Sequence, residues 1–189
     1  MKNNNKIFLG EFIASCFLVM VIVGSGIMAE NLTNDNAVRL LANTIATGAG
    51  LFVLITAFAN ISGAHLNPFV SLSMYLTKRI KGKELLTFIP AQILGCLLGV
   101  MLANVFFEHS IIELSTKNRD GFHIFLSEIV ATFGLIFIIF ATLKDGKTTV
   151  AACVATYISA GYWFTSSTSF ANPAVAIALS LIHISEPTR

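Results

Sequence analysis

Five apolar runs of membrane-spanning length constrain this chain more than any other feature of it. They cover about residues 7–29, 38–60, 85–107, 122–143 and 148–169, and the fifth is the most polar. A helix needs roughly 20 residues to cross the hydrocarbon core of a bilayer. In that solvent every backbone N–H and C=O must find its partner within the protein, so the expected fold class is an all-α membrane protein. The composition agrees. Hydrophobic residues make up 55% of the chain and charged residues only 12%, against roughly a quarter charged in a soluble domain. The first run follows "MKNNNK", and two lysines before an apolar stretch resemble a secretory signal. Its extent from Ile7 to Ala29 is too long for that and reads as a first span.

Two shorter apolar stretches do not fit the spanning pattern. "SGAHLNPFVSLSMYL" lies between the second and third spans, and "SFANPAVAIALS" stands near the end. Each opens on Asn-Pro. Proline suits the first turn of a helix, where its missing N–H has no intrahelical acceptor to lose. Asparagine just before it is a favoured N-cap. Asn67-Pro68 and Asn172-Pro173 therefore each start a half-length helix, over about 67–78 and 172–184.

Loop charges give the sidedness. Lys2, Lys6, Lys78, Arg79, Lys81, Lys83, Lys144 and Lys147 fall on one side of the membrane; Arg39, Lys117 and Arg119 fall on the other. The excess of eight over three places the N-terminus in the cytoplasm of a multi-pass protein of the cell (plasma or inner) membrane. The alternation holds only if both Asn-Pro segments dip in and return on the same side.

The chain also repeats itself. "LGEFIASCFLVMVI" (9–22) matches "LSEIVATFGLIFII" (126–139) at Leu9, Glu11, Ala14, Ser15 and Leu18 against Leu126, Glu128, Ala131, Thr132 and Leu135. Three spans separate the two starts, and an odd number inverts the second copy. The reading is a single channel domain over 1–189. Its first repeat is 1–107; its second, incomplete, is 122–184. Such inverted repeats with broken helices mark transport proteins, with the site where the halves meet at the midplane.

Two helix N-termini meeting there put two positive dipole ends at one point. A cation meets a barrier, and a neutral solute oxygen finds donors. The amides of Asn67 and Asn172 can donate to that oxygen while also capping their helices. Glu11 and Glu128 lie inside spans, where a carboxylate is expensive and usually functional or paired. They are either proton carriers or buried acceptors for re-entrant-loop N–H groups, and their equivalence by repeat favours the second role. His65 either lines the inner mouth or braces the loop. Cys16, Cys96 and Cys153 sit in apolar runs as small hydrophobes, so no metal or other cofactor is indicated. A net charge of +2 without a basic cluster argues against nucleic acid. No spacing brings Ser, His and an acid together, so no enzyme is expected.

"SGAHLNPFVSLS" and "ANPAVAIALS", with a glutamate early in each repeat, resemble the aquaporin and glycerol-facilitator family, the major intrinsic proteins. The resemblance covers nearly the whole chain. It implies a passive channel for water and small uncharged solutes, and homotetramers in the lipid bilayer with one pore per subunit. Three departures stand out. Phe69 replaces the alanine that Ala174 keeps in the second motif, where it could crowd the half-helix packing or the pore. Val175 stands where the family usually has a constriction arginine. Counting back along the family pattern puts the other constriction positions at about Thr47, Ala160 and Ser169, all small. The resemblance then implies a wide, uncharged filter that admits glycerol, urea or neutral metalloid hydroxides. Asn-Pro-Ala-Val is similar to a bacterial subgroup linked to metalloid solutes. The third departure is a missing sixth span: the chain turns polar after Ile184, at "LIHISEPTR", and reads as a truncated or read-through end. Two rivals remain at this point. One is a proton-coupled secondary transporter using Glu11 or Glu128; the other is a non-functional fragment.

Overall fold

A computed structural model of the chain describes residues 4–112 and 121–182. Seven α-helices make up the regular structure of those residues: α1 (Asn4–Leu32), α2 (Asn36–Phe58), α3 (Pro68–Leu76), α4 (Gly82–Phe106), α5 (Phe122–Thr142), α6 (Lys147–Phe164) and α7 (Pro173–Ile182). Helices α1, α2, α4 and α5 are long and apolar enough to cross a membrane. The fifth expected span, 148–169, is shortened. Helix α6 ends at Phe164, and residues 165–172 leave it as irregular backbone. The Ser/Thr-rich run "TSSTS" explains the break, because short hydroxyl side chains compete for backbone groups and weaken helix. The two short helices are trimmer than the sequence suggests: α3 stops at Leu76 and α7 is described to Ile182, with His183 and Ile184 outside the described residues.

Each long helix buries one stripe and leaves apolar residues such as Phe17, Val53, Leu94 and Phe125 exposed, as expected where the surroundings are lipid. Two apolar clusters form. One gathers α1, α2, α5 and α6 around Leu18, Leu51, Ile55, Leu135 and Ile158. The other joins α1, α4 and α7 through Val19, Val23, Cys96, Val100, Val175 and Leu179. The α1–α4 contact is backbone against backbone. A Cβ added at Gly95 would lie 2.3 Å from the Phe12 carbonyl oxygen, and one at Gly99 would lie 2.4 Å from that of Cys16. Between membrane helices the hydrophobic effect provides no drive, so close approach at small residues is what holds them.

The half-helices begin as their Asn-Pro heads predict. The Asn67 Oδ1 accepts the Phe69 N–H at 2.9 Å, and the Asn172 Oδ1 accepts the Ala174 N–H at 3.1 Å. Two residues past the end of α3, Lys78 takes the left-handed region (φ 59°), and the Arg79 N–H donates back to the Met74 carbonyl.

Candidate functional site

Four adjacent stretches of chain converge at the middle of the bundle: the loop into α3, the head of α3, the loop into α7 and the head of α7. The side-chain amide of Asn67 donates to the Ala171 carbonyl at 2.7 Å, and that of Asn172 donates to the Leu66 carbonyl at 2.7 Å. The two asparagines are thus cross-tied, each reaching the loop that precedes the other. Each amide has two N–H donors, and one of them is used in this tie. Both residues line a cavity of about 400 Å³.

The loops are unusual backbone. Ala64, Leu66, Thr168, Ser169 and Ala171 all take positive φ, between 46° and 58°. Non-glycine residues rarely adopt this conformation, and several together must be held by their surroundings. Two carboxylates do the holding. Fully buried Glu11 accepts hydrogen bonds from the His65 N–H (3.1 Å), the Leu66 N–H (2.7 Å), the Ser62 hydroxyl (2.5 Å) and the Gln92 amide (2.8 Å). Glu128 accepts the Phe170 N–H at 3.0 Å and the Ala171 N–H at 2.8 Å. His65 and Leu66 precede Asn67 as Phe170 and Ala171 precede Asn172, so the device is repeated. Neither glutamate lines the cavity.

His65 stands where the cavity, α3 and α4 meet. It lines the cavity, its ring stacks on Phe88 with centroids 4.1 Å apart, and its Nδ1 lies 3.0 Å from the Ser71 hydroxyl. Ser71 in turn accepts from Gln92 at 3.0 Å. Gln92, Ser62 and Ser71 had no signal in the sequence, because only the tertiary fold aims α4 and α3 at the loop.

The cavity is long. Lys147 and Tyr162 both line it and stand fifteen positions apart on α6, which is about 22 Å of helix. At the Tyr162 end the lining also includes Thr47, Ser169 and Val175. The Thr47 and Tyr162 hydroxyls are 3.1 Å apart and hydrogen-bonded, and the buried Ser169 hydroxyl has no partner. Ala160 is a correction. It is exposed on the outside of α6 and does not reach the cavity. The lining stripe of α6 is Val150, Val154, Ile158 and Tyr162, spaced four apart, and Ala160 lies two positions past Ile158 on the opposite face. Counting along the family pattern gives Ala160, and the register shifts because residues 165–172 are irregular. The four-residue stripe was readable and would have found Tyr162. Phe69 is a second correction to the idea of crowding. Its side chain is 43% exposed and absent from the cavity wall, because the buried face of α3 is Val70, Ser71 and Met74. Ala174 is fully buried, and Pro68 is half-buried at the head of α3.

The sequence pattern of the Major intrinsic protein family matches residues 1–185. The chain belongs to that family. Among its relatives, the Aquaglyceroporin AqpS of Rhizobium meliloti (strain 1021) is 46% identical over 172 residues, covering 91% of this chain and 74% of AqpS. The Aquaporin TIP1-2 of Musa acuminata is 36% identical over 75% of this chain and 58% of its own length. The X-ray structure of the aquaglyceroporin from Plasmodium falciparum superposes with a TM-score of 0.71 over 94% of this chain and 82% of that one, at 20% identity, which is a likeness of fold.

Proposed function

We propose that this major intrinsic protein is a passive channel for water and small uncharged solutes, with a wide outer constriction formed by Thr47, Tyr162, Ser169 and Val175. The observation that carries the reading is the lining at that end of the cavity: among the described residues no cationic or acidic side chain, the apolar Val175, the paired hydroxyls of Thr47 and Tyr162, and Ser169, whose own hydroxyl is buried. Hydroxyls that both donate and accept suit a solute that is itself a polyol or a neutral hydroxide. Glycerol, urea and neutral metalloid hydroxides are the solutes proposed. The name of the relative aquaglyceroporin AqpS supports glycerol among them.

The central amides of Asn67 and Asn172, with one N–H each to spare, serve the passing solute. The positive ends of α3 and α7 keep cations out. Glu11 and Glu128 support the loops and carry no protons; their oxygens are taken by loop N–H groups and they stand off the cavity. His65 lines the pathway and braces its loop. The protein is proposed to sit in the cell membrane with its N-terminus inside, on the charge bias, and to form homotetramers, on the family resemblance.

The test is Val175→Arg in reconstituted vesicles, followed by light-scattering swelling. A guanidinium there narrows the passage and adds a fixed charge. Glycerol flux is expected to fall more than water flux. An equal fall in both, or no fall, overturns the wide constriction.

A further inference from the structure

The other end of the cavity is built differently, and the constriction does not explain it. There the wall includes Arg79, Ile80, Leu143, Lys147 and Val150. Arg79 and Lys147 come from opposite repeats. Each is held in place by the other repeat: the Arg79 guanidinium lies over the Phe140 ring, 5.7 Å from its centroid, and the Lys147 ammonium donates to the Asn60 side chain. Among the described residues neither forms an ion pair. The two nearest acids in sequence are otherwise placed. Glu84 accepts the Lys81 N–H at the start of α4, and Asp145 is exposed in the turn before α6. Among the described residues no acidic side chain lines the cavity.

We infer that this mouth is a binding site for a small oxyanion of the phosphate class. A guanidinium stacked on an aromatic ring keeps its edge N–H donors free, and that planar fork matches two oxygens of a tetrahedral oxyanion. The ammonium of Lys147 uses one of its three donors on Asn60 and leaves two. Both side chains are exposed, and each already has one partner on the opposite repeat, which lowers the side-chain entropy lost on binding. Ile80, Leu143 and Val150 stop the anion from moving further in, because they cannot replace its hydration shell. The occupant therefore stays at the mouth, facing the pathway. The inference rests on the cavity and its two cations, not on which solute crosses.

Free phosphate and the headgroup of an anionic lipid share this chemistry, and the experiment separates the two. Inorganic phosphate is titrated against the 189-residue chain in phosphatidylcholine nanodiscs, with ³¹P line broadening as the readout. Saturable broadening is expected. The Arg79→Gln/Lys147→Gln pair should weaken it about tenfold, the scale of lost charge-assisted hydrogen bonds. Lys83→Gln, off the cavity, should leave it unchanged. Thermal melts of each variant establish that it is folded. Competition in phosphatidylglycerol nanodiscs, seen as weaker phosphate binding by the parent chain alone, assigns the site to lipid headgroups; equal binding in both lipids assigns it to free phosphate. Absence of saturable broadening in phosphatidylcholine, or equal broadening by the parent and the double variant, overturns the site. Neither result bears on solute flux, so the channel reading stands or falls separately.

Discussion

Glu11 and Glu128 occupy matching places in the two repeats, yet among the described residues Glu11 accepts four hydrogen bonds and Glu128 two. The two that are shared come from the backbone of the following loop. The extra two come from Ser62 and from Gln92 on α4. The same asymmetry runs along the helices that carry the glutamates. Cys16 on α1 is 6% exposed and packs under α4, whereas Phe133, its counterpart on α5, is 71% exposed. No described helix covers α5 as α4 covers α1. The comparison separates two contributions. The loop and its carboxylate recur in both repeats. The covering helix adds a buried amide and a tight backbone contact.

The largest effect should come from removing the carboxylate itself. Glu11→Ala orphans the buried Leu66 N–H, the half-buried His65 N–H, the Ser62 hydroxyl and one Gln92 amide N–H, each at a cost of about 1–3 kcal/mol. Glu128→Ala orphans two donors in a half-buried setting. Thermal melts in detergent should show Glu11→Ala losing more stability, and equal losses would break the comparison.

Next in size is the covering contact. Gly99→Leu drives a side chain into the α1 backbone, where even a Cβ has no room, and should cost about 3 kcal/mol or more. Phe133→Ala, on the matching uncovered face, should change the melt by about 0.5 kcal/mol at most, as exposed substitutions do. A large loss for Phe133→Ala would show that this face is occupied in the sample.

A smaller step sharpens the point. Gln92→Leu strips the first site of one donor to Glu11 and one to Ser71, making it more like the second. About 1–2 kcal/mol of stability should go, with swelling flux retained, since the loop N–H groups keep their acceptor. A loss of flux equal to that of Glu11→Ala would mean the covering helix, and not the carboxylate, shapes the loop.

The smallest effect is expected at Phe69. Its ring faces outward, so Phe69→Ala should alter flux little and stability by about 0.5 kcal/mol or less. A change in solute preference would place Phe69 in the pathway after all.

Much of this was legible in the residues. Spanning runs, Asn-Pro heads, loop charges and the Leu-x-Glu repeat depend only on local chemistry, and local chemistry is written in order along the chain. They sufficed for a helical membrane protein with an inverted repeat and two capped half-helices. They also singled out Glu11, Glu128, Asn67, Asn172 and His65. Reading failed where register passed through irregular backbone. Ala160 comes from counting along the family pattern, and the irregular residues 165–172 follow no fixed rise or rotation per residue, so that count does not reach Tyr162. Tertiary structure alone decided what each buried group meets. Only folding could join Gln92 to a glutamate 81 positions away, set Thr47 against Tyr162, or bring Arg79 and Lys147 to one mouth, because such contacts depend on how helices pack rather than on how residues follow one another.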